Sequence, residues 1–375
     1  MTKRIGILTS GGDCPGLNMA IRAVVCHATS AYGWEVLGIP YATQGLLEKK
    51  AISLNLHGLD LHGIDPLLSM GGTILGSTNK GDTLARRDEL DASYRALGLD
   101  ALIVIGGDGS LTILREVARK GGWNLVGIPK TIDNDVALTE RAIGFDTAVN
   151  TVTDALTRLT YTAASHDRVM VVEVMGRMAG HLALYSGIAG GADAILIPEI
   201  PYSVPKLCQK LQELRDKWGR KFALVVVAEG AKTAEGALSC YTDSLGEVRL
   251  RGIGQYITEQ IPACSSTPIE TRLTILGHVQ RGGIPSAGDR ALAAIFGTAA
   301  VDLVAREQFD RMVAWQNGEV VSVPLEAVIA QSPALVDPNG CLVQTARDLG
   351  IYIGENEYVT ASSQSQLAQS LVKSS

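Results

Sequence analysis

Short runs of almost wholly apolar residues recur along the chain, each ended by glycine, proline or an acid. Ile5–Thr9, Ala101–Ile105, Leu125–Ile128, Arg168–Val174, Ala194–Ile197, Phe222–Val227 and Thr271–Leu276 read as strands. Between them the apolar positions shift to helical spacing, as in Leu17, Ile21, Val24, Val25 and Ala28, or Leu111, Leu114, Val117 and Ala118. Further helices are expected over Asn150–Ala163, from near Ala179, over Leu207–Trp218, around Gly252–Gln260 and over Asp289–Val304. Strands apolar on both faces, alternating with helices, predict parallel sheets covered on both sides. Ala231–Gly246 reads as a loop-like insertion and Ala361–Gln366 as part of a mobile tail; no internal repeat is visible.

Composition narrows this picture. The 375 residues suffice for about two domains of roughly 100–200 residues each. A formal charge of −6, with no basic stripe interleaved with aromatics, argues against a nucleic-acid partner. Six cysteines without Cys-x-x-Cys spacing favour reduced thiols over a disulfide framework or a zinc site. No stretch approaches the ~20 apolar residues of a membrane helix, and the N-terminus is too short for a signal peptide, so a cytoplasmic chain without a membrane partner is expected.

The chemistry gathers where strands end. Gly106–Ser110 follows one apolar run and Pro129–Asp135 follows another. Carboxylates thereby fall at the carboxyl ends of buried strands, where open α/β sheets keep their ligands. Asp108 suits a hydrated Mg²⁺, which takes one or two carboxylates and otherwise water and phosphate. Gly107 and Gly109 let backbone amides approach phosphate, and Ser110 is read as the start of a helix whose dipole favours negative charge. Asp133 is the expected base for an incoming hydroxyl, with Asp135 nearby raising its proton affinity and Thr131 bonding a substrate oxygen. Ser10–Gly16, with Gly12 inside it, is a further glycine loop able to receive an anion. Arg168, Arg177, Arg272 and Arg281, with His278 between the last two, offer guanidinium forks for a sugar phosphate. These parts are those of phosphoryl transfer, which needs positioning, charge neutralisation and a base.

Five motifs in order, Thr9–Asn18, Gly106–Ser110, Thr131–Asp135, Glu173–Arg177 and Leu276–Gly283, resemble the bacterial-type 6-phosphofructokinases from Lys3 to about Leu303. The resemblance implies two Rossmann-like three-layer α/β domains with mainly parallel sheets, the phosphofructokinase fold. Residues 1–144 with about 258–305 would form the larger, nucleotide-binding domain. Residues 145–257 with about 306–355 would form the smaller, sugar-phosphate domain, leaving 356–375 as the tail. It also implies transfer from MgATP to the 1-hydroxyl of fructose 6-phosphate, the committing step of glycolysis. Asp133 would be the base and Asp108 the magnesium anchor. Thr131, Met175, Gly176, Arg177, Glu229 and His278 would contact the sugar. Arg168 and Arg272 would reach the sugar phosphate of a neighbouring subunit, which implies a homotetramer.

The chain departs from the family pattern in places. Gly109 matches the ATP users, since an acid there would repel the nucleotide, whereas Lys130 matches the pyrophosphate users; ATP is the expected donor. Asn79 and Lys80 stand where the usual bacterial enzyme has arginine and an aromatic, and Thr43 where tyrosine is common. At the allosteric site Arg22 and Arg220 fit the basic positions, while Cys26, Leu61 and Thr160 replace arginines expected to hold ADP or phosphoenolpyruvate. Activation by ADP is therefore expected to be weak or absent. Three other readings remain: a pyrophosphate-dependent phosphofructokinase, a lipid or NAD kinase sharing the Gly-Gly-Asp-Gly core, and a non-catalytic subunit that senses sugar phosphate.

Overall fold

The computed structural model of the protein describes residues 2–55, 65–77, 83–233, 240–242, 248–250, 252–264 and 269–354. The chain opens with β1 (Arg4–Thr9), α1 (Leu17–Tyr32), β2 (Glu35–Gly38), α2 (Thr43–Leu47), β3 (Ile52–Leu54), α3 (Arg87–Ala96), β4 (Ala101–Gly106), α4 (Asp108–Gly121) and β5 (Leu125–Pro129). Then come α5 (Phe145–Ser165), β6 (Arg168–Val174), α6 (His181–Ala189), β7 (Ala194–Leu196), α7 (Val204–Trp218) and β8 (Ala223–Ala228). The last third holds β9 (Cys240–Thr242), β10 (Val248–Leu250), α8 (Ile253–Ala263), β11 (Glu270–Ile275), α9 (Ala287–Ala305), β12 (Arg311–Gln316), β13 (Glu319–Pro324), α10 (Leu325–Gln331) and α11 (Cys341–Asp348).

Two main sheets result. One runs β13-β12-β5-β4-β1-β2-β3, parallel except for its edge strands β13 and β3. The other runs β11-β6-β8-β7 and is parallel throughout. Ile5, Ile7 and Leu8 of β1 and all of Ala101–Ile105 are fully buried, as strands covered on both faces must be. Successive side chains point to opposite faces, so Ile5 and Ile7 join a core shared with β6 and α5 while Leu8 joins the core under α4. That shared core ties the two sheets together.

Late segments distribute themselves differently from the sequence expectation. β11, within 258–305, closes the four-stranded sheet beside β6. β12 and β13, within 306–355, extend the seven-stranded sheet beyond β5. An apolar run carries no record of which neighbour it will pair with; the described chain crosses between the sheets three times, as many as expected, but the second crossing follows β11 and the third follows β13. Near its end the described chain returns to the smaller sheet, where Ile195 donates its N–H to the carbonyl of Tyr352 at 2.8 Å.

Two local expectations are also corrected. The insertion expected to be loop-like contributes β9, which pairs antiparallel with β10. Cys208 of α7 and Cys264 at the end of α8 form a disulfide, although they lie 56 residues apart in sequence. Local spacing could not reveal this pair, because helix packing brings the two sulfurs together. The expected tail, 356–375, lies outside the described residues. No helix among them is long and apolar enough to cross a membrane.

Candidate active site

Because β5, β4 and β1 are neighbours, the three loops that follow them converge. They line a cavity of about 240 Å³ with Ser10–Asp13, Gly107–Ser110, Lys130–Ile132 and Asp135. The helix after β4 begins at Asp108, two residues before the expected Ser110. Asp108 thus stands in the first turn, where an acid is favoured by the helix dipole and backbone amides remain free for an anion. The β5 loop is held from behind. Thr131 donates its N–H to the Ile143 carbonyl at 3.1 Å, and Asp133 donates its N–H to Thr131 Oγ1 at 3.0 Å. Asn134, with φ of 53°, donates through Nδ2 to the Glu140 carbonyl at 3.1 Å and accepts from Ala142 N–H at 3.0 Å. A left-handed residue between two carboxylates is the sort of strain that surrounding bonds must hold in place.

The second sheet supplies the facing wall. Its central strand β6 ends in Met175-Gly176-Arg177, flanked by the loops after β8 and β11. Gly176 has φ of 142°, and a Cβ there would lie 2.5 Å from the Ala179 carbonyl, so only glycine fits. Arg177 donates its N–H to Glu229 Oε1 at 2.9 Å, and Met175 donates its own to Gln280 Oε1 at 3.3 Å. The guanidinium of Arg281 fills the space where a Cβ on Gly12 would stand. Its Nε is buried without a hydrogen-bond partner among the described residues. Arg177 Nε lies 3.9 Å from Asp133 Oδ2.

Burial sets the electrostatics. Asp133, 7% exposed, has its pKa pushed up to about 6, first by desolvation and then by the charge of Asp135, with Arg177 opposing. Asp135 is likewise raised, by burial and then by Asp108. Lys130 is pulled down by burial, and its ammonium donates to the Gly12 carbonyl at 2.5 Å. Two buried carboxylates of raised proton affinity beside guanidinium groups make a site able to hold an anion and accept a proton. Among the described residues no cluster of three or more His, Cys, Asp or Glu side chains forms a complete metal cage. The half-buried Asp108 and nearby Asp135 offer hard oxygen donors, which fits Mg²⁺ completing its shell with water and phosphate.

The cavity collects Gly12, Gly107, Asp108, Gly109, Ser110, Lys130, Thr131, Asp135, Arg177 and Arg281, with Asp133 against Arg177. Glu229, Met175 and Gly176 adjoin through backbone bonds, and His278 is exposed in the short helical turn Gly277–Arg281. Arg168 and Arg272 are not brought there. They lie near the opposite, N-terminal ends of β6 and β11, where both engage Glu270; at about 3.3 Å per residue, the length of β6 puts roughly 20 Å between Arg168 and the cleft. Asn79, Lys80 and Leu61 lie outside the described residues. Sequence reading overlooked two braces. Gln280 is fully buried and also donates to the Gly277 carbonyl at 2.9 Å, and Asn134 fixes the loop after β5. Only their place inside motifs marked them.

A family model described as phosphofructokinase matches residues 4–304. The "ATP-dependent 6-phosphofructokinase 2" of Nostoc sp. (strain PCC 7120) is 68% identical over 95% of this chain and 99% of its own. The ATP-dependent 6-phosphofructokinase of Thermosynechococcus vestitus is 65% identical over 94% of this chain and 93% of its own. Among solved structures, Pichia pastoris phosphofructokinase in the T-state superposes with a TM-score of 0.76 at 32% identity, covering 94% of this chain and 37% of that one. A pyrophosphate-dependent phosphofructokinase from Nitrosospira multiformis reaches a TM-score of 0.78 at 20% identity, over 95% and 93% of the two chains. At that identity it speaks for the fold alone.

Proposed function

The chain belongs to the phosphofructokinase family, and from that premise we propose that it phosphorylates the 1-hydroxyl of fructose 6-phosphate with MgATP, yielding fructose 1,6-bisphosphate and ADP at the committing step of glycolysis. The observation that carries this is Asp133. It is a carboxylate buried beside Asp135 and facing Arg177, with a pKa near 6. Ionised at neutral pH, it accepts the proton of the 1-hydroxyl as the oxygen attacks the γ-phosphorus and ADP departs. Arg177 balances the negative charge that gathers at this point, and Thr131 orients Asp133 through the backbone. Asp108 would hold Mg²⁺, with Asp135 close by; the bound ion neutralises phosphate charge. Gly12, Gly107, Gly109 and Ser110 present amides to the nucleotide phosphates.

Gly109 supports ATP as donor, since a Cβ there would meet nothing within 4 Å and the space stays open for nucleotide. Lys130 is the feature that favours pyrophosphate, but its ammonium already bonds the Gly12 carbonyl and braces the β1 loop. Asp108 and Asp133 are both in place, which disfavours a non-catalytic sensor. The seven-stranded unit would take the nucleotide. Met175, Gly176, Glu229, His278 and Arg281, from the four-stranded side, would take the sugar phosphate. Arg168 and Arg272 stand too far from their own cleft, so they would serve a neighbouring copy in a cytoplasmic homotetramer. Purified protein with fructose 6-phosphate and Mg²⁺ tests the proposal when ATP and pyrophosphate are compared side by side. Turnover with ATP alone is expected; turnover with pyrophosphate would overturn the choice of donor.

A further inference from the structure

Behind the catalytic loop lies a second cavity, of about 250 Å³, that shares no residue with the first. Its walls come from both halves of the molecule: the start of α5, Tyr185 of α6, the first turns of α9 and Trp315 of β12. Three aromatic rings line it, Phe145, Tyr185 and Trp315. Phe145 and Tyr185 meet edge to face, with centroids 5.1 Å apart. Such a concave hollow lined by aromatic rings and open at one side is a usual shape for a small-molecule site.

The charges around it are not balanced for an anion. Glu140 and Asp146 carry two carboxylates against the single guanidinium of Arg141. A third, Asp289, is buried and satisfied by Gly144 N–H, Thr147 N–H and Thr147 Oγ1. Glu140 uses Oε1 to accept from Asn317 N–H at 2.8 Å, and Asp146 accepts from Ser286 Oγ through Oδ2. Each keeps a second carboxylate oxygen for a ligand. Aromatic faces beside carboxylates recognise a flat cation.

The same wall reaches the chemistry. Glu140 donates its N–H to the Trp315 carbonyl, and its own carbonyl accepts from Asn134 Nδ2. Ala142 donates back to Asn134 Oδ1. Asn134 stands between Asp133 and Asp135, so movement of residues 140–142 is transmitted to the proposed base through two hydrogen bonds.

We propose that this cavity is a regulatory site for a flat aromatic ligand bearing a cationic nitrogen head, and that its occupant acts on phosphoryl transfer through Asn134. The second half rests on the activity proposed above; the first does not. Benzamidine is the probe, titrated into the full-length protein while tryptophan fluorescence is read, with benzoate as its anionic counterpart. Wild type should give a saturable change that Trp315→Phe removes and benzoate does not reproduce. Ala291→Trp, at an exposed lining position, should fill the mouth and weaken binding by about tenfold or more. Glu140→Gln keeps the Asn317 bond and should weaken it several-fold, so the charge is tested even if the first variant fails to fold. Binding that ignores both substitutions, an equal response to benzoate, or no saturable signal would overturn the site. Over the same concentrations the half-saturating fructose 6-phosphate should shift by at least about twofold. Binding with no kinetic shift in an active enzyme would overturn the regulatory half, whereas an inactive protein that still binds benzamidine would count against the kinase reading alone.

Discussion

Arg177 Nε and Asp133 Oδ2 stand 3.9 Å apart, and this contact links the loop after β5 to the loop after β6, and so one sheet to the other. The arginine is largely exposed and the acid is not. In the proposed reaction the buried carboxylate would stay fixed while the exposed guanidinium meets incoming phosphate.

The pH profile should follow from the same pair. A base must be ionised, and Asp133 has its pKa raised to about 6, so kcat/KM should fall as pH drops through that value. The Asp135 charge is one cause of the rise. Asp135→Asn should therefore move the acidic limb to lower pH, and an unmoved limb would detach Asp135 from the tuning of the base.

Donor choice should turn on Gly109. Since a Cβ is sterically free there, Gly109→Asp should fold normally and place a carboxylate against the nucleotide phosphates. A loss of roughly tenfold or more in kcat/KM for ATP, about 1.4 kcal/mol, is expected from such repulsion. Unchanged ATP kinetics would move the origin of donor choice elsewhere.

ADP should be a poor activator. The two basic residues that fit the family's effector positions are both committed within the chain. Arg22 pairs with Asp65, and Arg220 pairs with the buried Asp193 while its guanidinium stacks 4.8 Å over Phe222. Adding ADP should shift the half-saturating fructose 6-phosphate by less than the roughly fivefold of weak allosteric coupling. A drop of about fivefold or more would contradict this.

The three loops of the seven-stranded sheet were legible because each follows an unbroken apolar run and carries glycine beside acid, a local pattern with a local cause. The family likeness was legible because five such patterns keep their order. Sheet membership after residue 258 was not: only β11 read as a strand, β12 and β13 went unread, and tertiary packing alone assigns their neighbours. The Cys208–Cys264 bond and the aromatic cavity were hidden for the same reason. Each joins residues whose separation in sequence says nothing of their meeting.

The central claim is that Asp133 takes the proton of the sugar hydroxyl, and the most direct measurement compares Asp133→Ser with wild type in turnover and in calorimetric binding of fructose 6-phosphate. Loss of a general base should lower kcat by about 10²–10⁴-fold while sugar affinity stays close to wild type. Turnover near the wild-type rate would remove Asp133 from the role of base, and with it the reading of this cleft.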